Sequence, residues 1–569
     1  MLCECPLQEV EEALKELPET LDGTYQRILR NIDKKKQEYA HRIFQCLAVS
    51  IRPLGVKELA KIFALKVNVE AAGIPEFNAG WRYKNANYAV RSACSTLITI
   101  VNVGGSSVVQ FSHFSVKEYL MSSRLANCHD VSHFHIRLKP AHTFLARACL
   151  CILLQLDDRI NKTRIKKFPL ATYAAKHWVE HAQFEDASSF IRNEMSGLFD
   201  RDKPHFAAWI WVHDVDRGPG MSSIRPEQPE ASPLYYAALC GFHDIVQQLV
   251  STHPQDVHAR GGSRTTPLHA AVGNGHVEVA LFLLDHGADV NARDEDENVT
   301  PLYLASEHGD AMVVRSLLGR GANPNVEDGF GMTSLLHASA DGSLEVVRLL
   351  LEHGADVNHR DIGDMSPLRH ASTWGYYDIA RLLLDHGANA SDPGVHGRTP
   401  LFSASRMGHA EIARLLLDRG AGVNPQCPDF GTPLHQAAYF GWLQVAKVLL
   451  NYGADLHIQD KEGKTSFQVA SEKGHGELAQ LLSERAVARD NGALVSSRNK
   501  RRRVMAPPTR PRASEGTAAS GSTRPRLRRG TEGVPQAEPL DAGRLGGSAG
   551  SSRGQGRRAE RGRRIADVR

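Results

Sequence analysis

Gly463-Lys464-Thr465 is the triplet in this sequence that reads most like the end of a phosphate-binding loop. Such a loop needs a further glycine five positions earlier, so that bare backbone N–H groups can cradle phosphate. Ile458 stands there instead, and the triplet reads as a turn. The nine cysteines are Cys3, Cys5, Cys46, Cys94, Cys128, Cys149, Cys151, Cys240 and Cys427. They are odd in number and scattered, and neither Cys3–Cys5 nor Cys149–Cys151 has a second ligand pair at zinc spacing. They read as reduced structural thiols, which suits the cytosol or nucleus. No Ser-His-Asp, Cys-His or paired-carboxylate arrangement emerges. No catalytic residue, metal or cofactor is therefore expected.

The residues that do recur are structural. Thr/Ser-Pro-Leu repeats with Pro at 233, 267, 301, 367, 400 and 433, and with Ser334 and Ser466 in the two further copies. Successive copies are 33 or 34 residues apart. A Thr or Ser before Pro supplies a helix N-cap, and Pro at the first helical position loses no useful donor. Four residues on, every copy has Ala, small enough for two antiparallel helices to approach closely. Eight residues on, every copy has Gly (241, 275, 309, 342, 375, 408, 441 and 474), suited to a left-handed helix end. Leu pairs such as Leu283-Leu284, Leu383-Leu384 and Leu449-Leu450 follow on a second helix. A second Gly closes that helix in the six inner copies; His253 and Ala486 replace it in the outer two. Outer repeats are expected to be atypical because their free face meets water. The pattern resembles the ankyrin repeat over Ala231–Ala486. His269, His276, His409, His435 and His475 fall at its consensus positions and read as structural.

The resemblance implies a protein partner on the concave face, met by first helices and hairpin tips. The two positions before each recurring Gly read as free of packing duty. They place Trp374, Arg406, Met407, Tyr439 and Phe440 on one stripe, with Tyr376 and Trp442 close by. Aromatic residues, Met and Arg are what binding hot spots are made of. The run Asp294–Glu297 reads as a solvated acidic turn.

Residues 1–230 lack the period. Helices are predicted over Leu7–Leu17, Thr24–Ile32, Lys36–Val49 and Val56–Phe63, with another ending near Ala93. A hairpin follows (Leu97–Val101 and Val108–Phe111 around Gly104-Gly105), then helices over Ser115–Met121, His142–Leu156, Leu170–His181 and Ala187–Phe199. Helices followed by a two-stranded wing look like a winged helix. The wing carries no Arg or Lys, which argues against DNA binding. The stretches LPETLDGTYQRIL, RPLGVKELA, QFSHFSVKEYLMS and PLATYAAKHWVEHA are similar to fungal NACHT–ankyrin receptors, signal-transducing NTPases. That resemblance implies an NTPase ahead of the winged helix, repeats that sense a signal, and a sensor-like role toward bound nucleotide for His113. No phosphate loop is present, so the sequence starts where that NTPase would have ended, by natural truncation or an incomplete gene. Without a nucleotide in cis, His113 reads as a buried structural histidine.

From Val487 onward, 20 Lys or Arg face 7 Asp or Glu, so the rest of this +4 chain carries about −9. The tail lacks the apolar residues to fold. Lys500, Arg501, Arg502 and Arg503 resemble a nuclear-import signal, and nucleic acid is a partner only through this tail. The alternatives are a solvated linker or sequence read from GC-rich noncoding DNA. No signal peptide or membrane span is apparent. The expected architecture is all-α: a winged-helix region (1–126), a helical spacer (127–230), eight repeats (231–486) and a disordered basic tail (487–569). The expected function is recognition of a protein in a NACHT-type signalling system, in the cytoplasm or the nucleus. The rival readings are a partner of an NTPase acting in trans and a nuclear, nucleic-acid-associated protein.

Overall fold

The computed structural model describes residues 21–63, 90–91, 96–217, 229–262, 265–294, 297–394 and 397–487. The helix expected over Leu7–Leu17, the end near Ala93, the middle of the acidic turn and the basic run Lys500–Arg503 lie outside them.

The first part is built from α1 (Leu21–Arg30), α2 (Gln37–Val49), β1 (Leu54–Gly55), α3 (Val56–Phe63), β2 (Ile98–Val103), β3 (Ser106–Phe111), α4 (Phe114–Leu120) and α5 (Ser123–Ala126). Strands β2 and β3 pair antiparallel from Ile98–Phe111 to Val103–Ser106. The loop between them is Gly104-Gly105, both at positive φ, as a two-residue hairpin turn of this hand requires. A third strand, unforeseen because it is two residues long, joins this wing: β1 pairs Leu54 with Val109.

The spacer comprises α6 (Leu138–Leu153), α7 (Ala171–Gln183), a 3-10 stretch (Phe184–Ile191), α8 (Arg192–Leu198) and α9 (Pro204–Val212). Helix α9 was not expected from the sequence. It is apolar on all sides and buried throughout its middle, so it shows no amphipathic period. The thiols of Cys46 and Cys151 are buried and free, and burial pushes both up to about 12. They are inert packing groups.

Eight helix pairs follow, their first helices beginning at Pro233, Pro267, Pro301, Ser334, Pro367, Pro400, Pro433 and Ser466. Ser232, Thr300, Thr333 and Thr399 cap their helices by accepting a backbone N–H three residues on. Thr266 and Thr432 close capping boxes with His269 and His435. Each of these imidazoles keeps its Nδ1 for the cap and donates from Nε2 to a carbonyl of the next hairpin, Val299 or Lys464. Burial lowers the pKa of both, consistent with a neutral capping ring.

The first repeat corrects one expectation. Its outer face does not meet water. Trp178 on α7 stacks on Phe242 at 5.2 Å, and Phe206 and Trp209 meet Tyr236 edge-on. Gln183 donates to the Cys240 carbonyl (2.7 Å), Tyr236 donates to Asp214 (3.0 Å), and Arg192 pairs with Asp244. A single apolar core runs from Tyr25 through the spacer to Leu482 in the last repeat. The spacer is thus the solenoid's N-terminal cap. Phe242→Ala in the full chain should cost about 3–5 kcal/mol. In urea, the transition reporting repeat one should move to lower concentration, and an unchanged unfolding curve would refute the cap.

A candidate partner surface on the inner helices

The recurring glycines do more than end the first helices. Gly309, Gly342, Gly375, Gly408 and Gly441 are C-caps at φ between +75° and +88°. The space where a Cβ would stand is filled by the next repeat. A Cβ on Gly342 would lie 2.7 Å from the Tyr376 ring, on Gly408 2.8 Å from Trp442, and on Gly441 2.6 Å from His475. The filling residue directly follows the next repeat's own glycine. Where it is His or Trp, its ring N–H donates back to the carbonyl two residues before the earlier glycine. These bonds run from His276 to Leu239 (3.1 Å), His409 to Thr373 (3.2 Å), Trp442 to Arg406 (2.9 Å) and His475 to Tyr439 (3.2 Å). A second ladder runs along the hairpins. Asn291, Asn325 and Asn358 each accept from a backbone N–H of the next repeat and donate to the Gly carbonyl that closes its second helix. Asn's amide carries both donor and acceptor, which this double role requires. Their regular spacing was visible in the sequence, but its meaning was not.

These ladders sort the expected contact residues. Tyr376 is half-buried and packed against Gly342, so it links repeats. Trp442 has the same duty although it is 40 % exposed. Contrary to expectation, the positions before the glycine are not all free of packing: Thr373 and Cys240 are buried, and Thr373 bonds its hydroxyl to the Arg369 carbonyl. Trp374, Arg406 and Met407 are half-buried. Tyr439 and Phe440 are the exposed pair, 46 % and 41 % accessible, their rings T-shaped at 4.9 Å. The Lys473 ammonium of the last repeat sits 4.1 Å from the Tyr439 ring centroid, a cation–π contact. Hairpin tips add Phe330, Ile362 and Phe430, all exposed. They were missed because a single apolar residue in a polar turn has no periodicity.

His113 is exposed rather than buried. It is the N-cap of α4: Nδ1 accepts from the Ser115 N–H (3.3 Å) and lies 2.6 Å from the Ser115 hydroxyl, which in turn meets Tyr25 (2.7 Å). Beside it an open depression of about 750 Å³ is lined by Phe111, His113, Phe114, Lys117, Glu118 and Met121, with Phe114 69 % exposed. Gly463 sits in a repeat hairpin at positive φ, and Lys464 pairs with Glu462 and Glu472. That lysine has no free charge to offer a phosphate. Among the described residues no cluster of three His, Cys, Asp or Glu side chains could hold a metal. No helix among them is long and apolar enough to cross a membrane.

Antiparallel helix pairs stacked by glycine and asparagine ladders define an ankyrin-repeat protein with a winged-helix domain ahead of the repeats. Ankyrin-repeat family models match residues 217–294, 302–393, 358–427 and 416–470. The model described as "GPI inositol-deacylase, winged helix domain" matches residues 26–134. Among curated proteins, the chain is 33 % identical over 295 residues to the azaphilone pigments biosynthesis cluster protein L of Monascus ruber. That match covers 49 % of this chain and 61 % of that protein. It is 49 % identical over 67 residues to alpha-latrocrustotoxin-Lt1a of Latrodectus tredecimguttatus, covering 12 % of this chain and 5 % of the toxin. The chain thus spans less than two thirds of either relative. A solved human ankyrin-repeat domain, that of ASB11, is 29 % identical and matches 39 % of this chain and 97 % of its own, with a TM-score of 0.35.

The ladders predict an asymmetry at position 442. Trp442→His keeps a ring N–H of the kind used at 276, 409 and 475, and should cost less than about 1 kcal/mol. Trp442→Ala uncovers Gly408 and orphans the Arg406 carbonyl, at about 2–4 kcal/mol. Equal losses of stability in chemical denaturation would refute the ladder reading.

Proposed function

We propose that the chain is a recognition subunit that holds a protein partner on the inner helices of repeats five to eight. Ankyrin repeats are protein-interaction modules, and the finer reading rests on the Tyr439–Phe440 pair. Two adjacent aromatic rings kept 41–46 % accessible are unfavourable in water, and nothing in the ladders requires them to be there. Trp374, Arg406 and Met407 flank them as half-buried neighbours, and the Lys473 ammonium already lies over the Tyr439 face. Large rigid rings on a preformed helical scaffold lose little entropy on binding.

The winged helix and spacer support a wider reading. Ahead of the repeats, in NACHT-type signalling proteins, such a region relays what the repeats sense; here the spacer is packed continuously against repeat one. In this reading a partner on the repeats is reported to whatever engages the winged-helix half, with His113 at the rim of the depression beside α4. A cytoplasmic or nuclear setting belongs to the same proposal.

The test uses the whole chain, because repeat one relies on the spacer for its cover. Tagged wild type and Tyr439→Ala/Phe440→Ala are expressed in matching cells, and bound proteins are quantified. Removing both rings should weaken retention of the specific partner by about tenfold or more, with an unchanged circular dichroism spectrum and thermal midpoint. A partner retained equally by both chains would move the site to the tips at Phe330, Ile362 and Phe430.

A further inference from the structure

Helix α7 bears on two parts of the molecule at once. Trp178 and Gln183 reach repeat one. Tyr173 faces the winged-helix half, where the Ile51 N–H donates to its oxygen (3.3 Å), and it meets His181 on the same helix. His181 is wholly buried. Its Nε2 lies 2.9 Å from the Tyr173 hydroxyl, and its Nδ1 lies 2.9 Å from Nδ1 of His142 on α6. One proton arrangement satisfies every group. The tyrosine O–H, which has no other acceptor among the described residues, donates to His181 Nε2; His181 then donates from Nδ1; and His142 must present a bare Nδ1.

The relay ends on a strained turn. The half-buried His142 ring stacks flat on Phe184, with centroids 3.9 Å apart and planes 6° apart. Phe184 follows Gln183 and precedes Glu185 and Asp186, both in the left-handed region at φ +44° and +59°. Two consecutive non-glycine residues there are costly, and the surrounding contacts must hold them.

We propose that the His142–His181 pair is a proton-operated latch on the seam between the winged-helix half and the solenoid. A proton added to His142 Nδ1 sets two N–H groups against each other at a hydrogen-bond distance. The rings part, Phe184 loses its stack, and the turn relaxes. The end of α7 then withdraws Gln183 and Trp178 from repeat one.

The surroundings give the added charge no relief. Lys117 on α4 opposes a cation at His142, and His142 and His177 oppose one at His181. Arg52 lies over the Tyr173 ring and is held by Glu58, while Glu180 is taken by His177. Cys46 and Cys149 are buried, protonated thiols. Among the described residues no carboxylate stands at ion-pair distance from either ring of the pair. Burial, the largest cause, lowers the pKa of His142 and takes that of His181 down to about 3. Folded-state values below the unfolded one mean that the latch is intact above the ordinary histidine range. Its contribution is lost as the pH falls below about 6.5.

Hydrogen exchange of the full chain, followed by mass spectrometry at about pH 7.5 and about pH 5.5 and corrected for intrinsic rates, tests this. In the wild type, protection across the first repeat, residues 233–252, should drop roughly tenfold at the lower pH, while repeat five, residues 367–385, holds. His142→Asn supplies an acceptor oxygen that takes no proton but gives up the ring on Phe184, so the protection of repeat one should be the same at both values. His142→Lys, a permanent cation, should open the seam at neutral pH. Protection independent of pH would overturn the latch. So would an equal drop in His142→Asn or a loss shared with repeat five.

Discussion

The solenoid hangs on a missing side chain. At the end of each first helix the backbone turns left-handed, and in six of the eight the next repeat lays a ring or a hydroxyl where a Cβ would be. Glycine serves twice there: it removes the conformational cost of positive φ, and it opens the space through which the next repeat reaches back to a free carbonyl. Any other residue would meet both penalties at once. The close approach also brings Ala237, Ala271, Ala305 and their counterparts into full burial, beside second-helix leucines such as Leu283, Leu383 and Leu449 that are buried as well.

Stacking of this kind has two ends, and the molecule treats them differently. At the C-terminal end, the last helix buries Leu478 and Leu482 inward and turns Glu477, Gln480 and Glu484 toward solvent. A polar outer face is the usual answer for a terminal repeat. At the N-terminal end the spacer takes the place of a neighbour, with Trp178, Phe206 and Trp209 packed on Tyr236 and Phe242. Stability and orientation are thereby coupled: the repeats are set at a fixed angle to the winged helix, and a disturbance in α7 reaches both.

Histidine appears throughout in roles that depend on its being neutral. His269 and His435 need a bare Nδ1 for their caps, and His276 is desolvated between repeats. His41 beneath Phe134 is pushed down to about 4 by the same cause, desolvation. The capping pair work through one fixed tautomer, which makes each ring a well-defined spacer and also a point where acid acts against the fold.

Local chemistry made the repeats legible from sequence. Capping hydroxyls, prolines, alanines and glycines act through their own backbone or the adjacent turn, so spacing alone reveals them, as it did for the Gly104-Gly105 hairpin. The same reasoning failed wherever a residue's role depends on something distant along the chain. Tyr376 and Trp442 belong to the inter-repeat ladder because of a glycine 34 residues earlier, and Tyr439 and Phe440 stay exposed although each rests on the other and Lys473 lies over Tyr439. His113 turned out to be an exposed helix cap, and helix α9 carried no period because neighbours surround it. The cover over repeat one joins segments that sequence order keeps apart. Short-range geometry is written in residue type and interval, whereas exposure and long-range contact exist only once the chain has closed on itself.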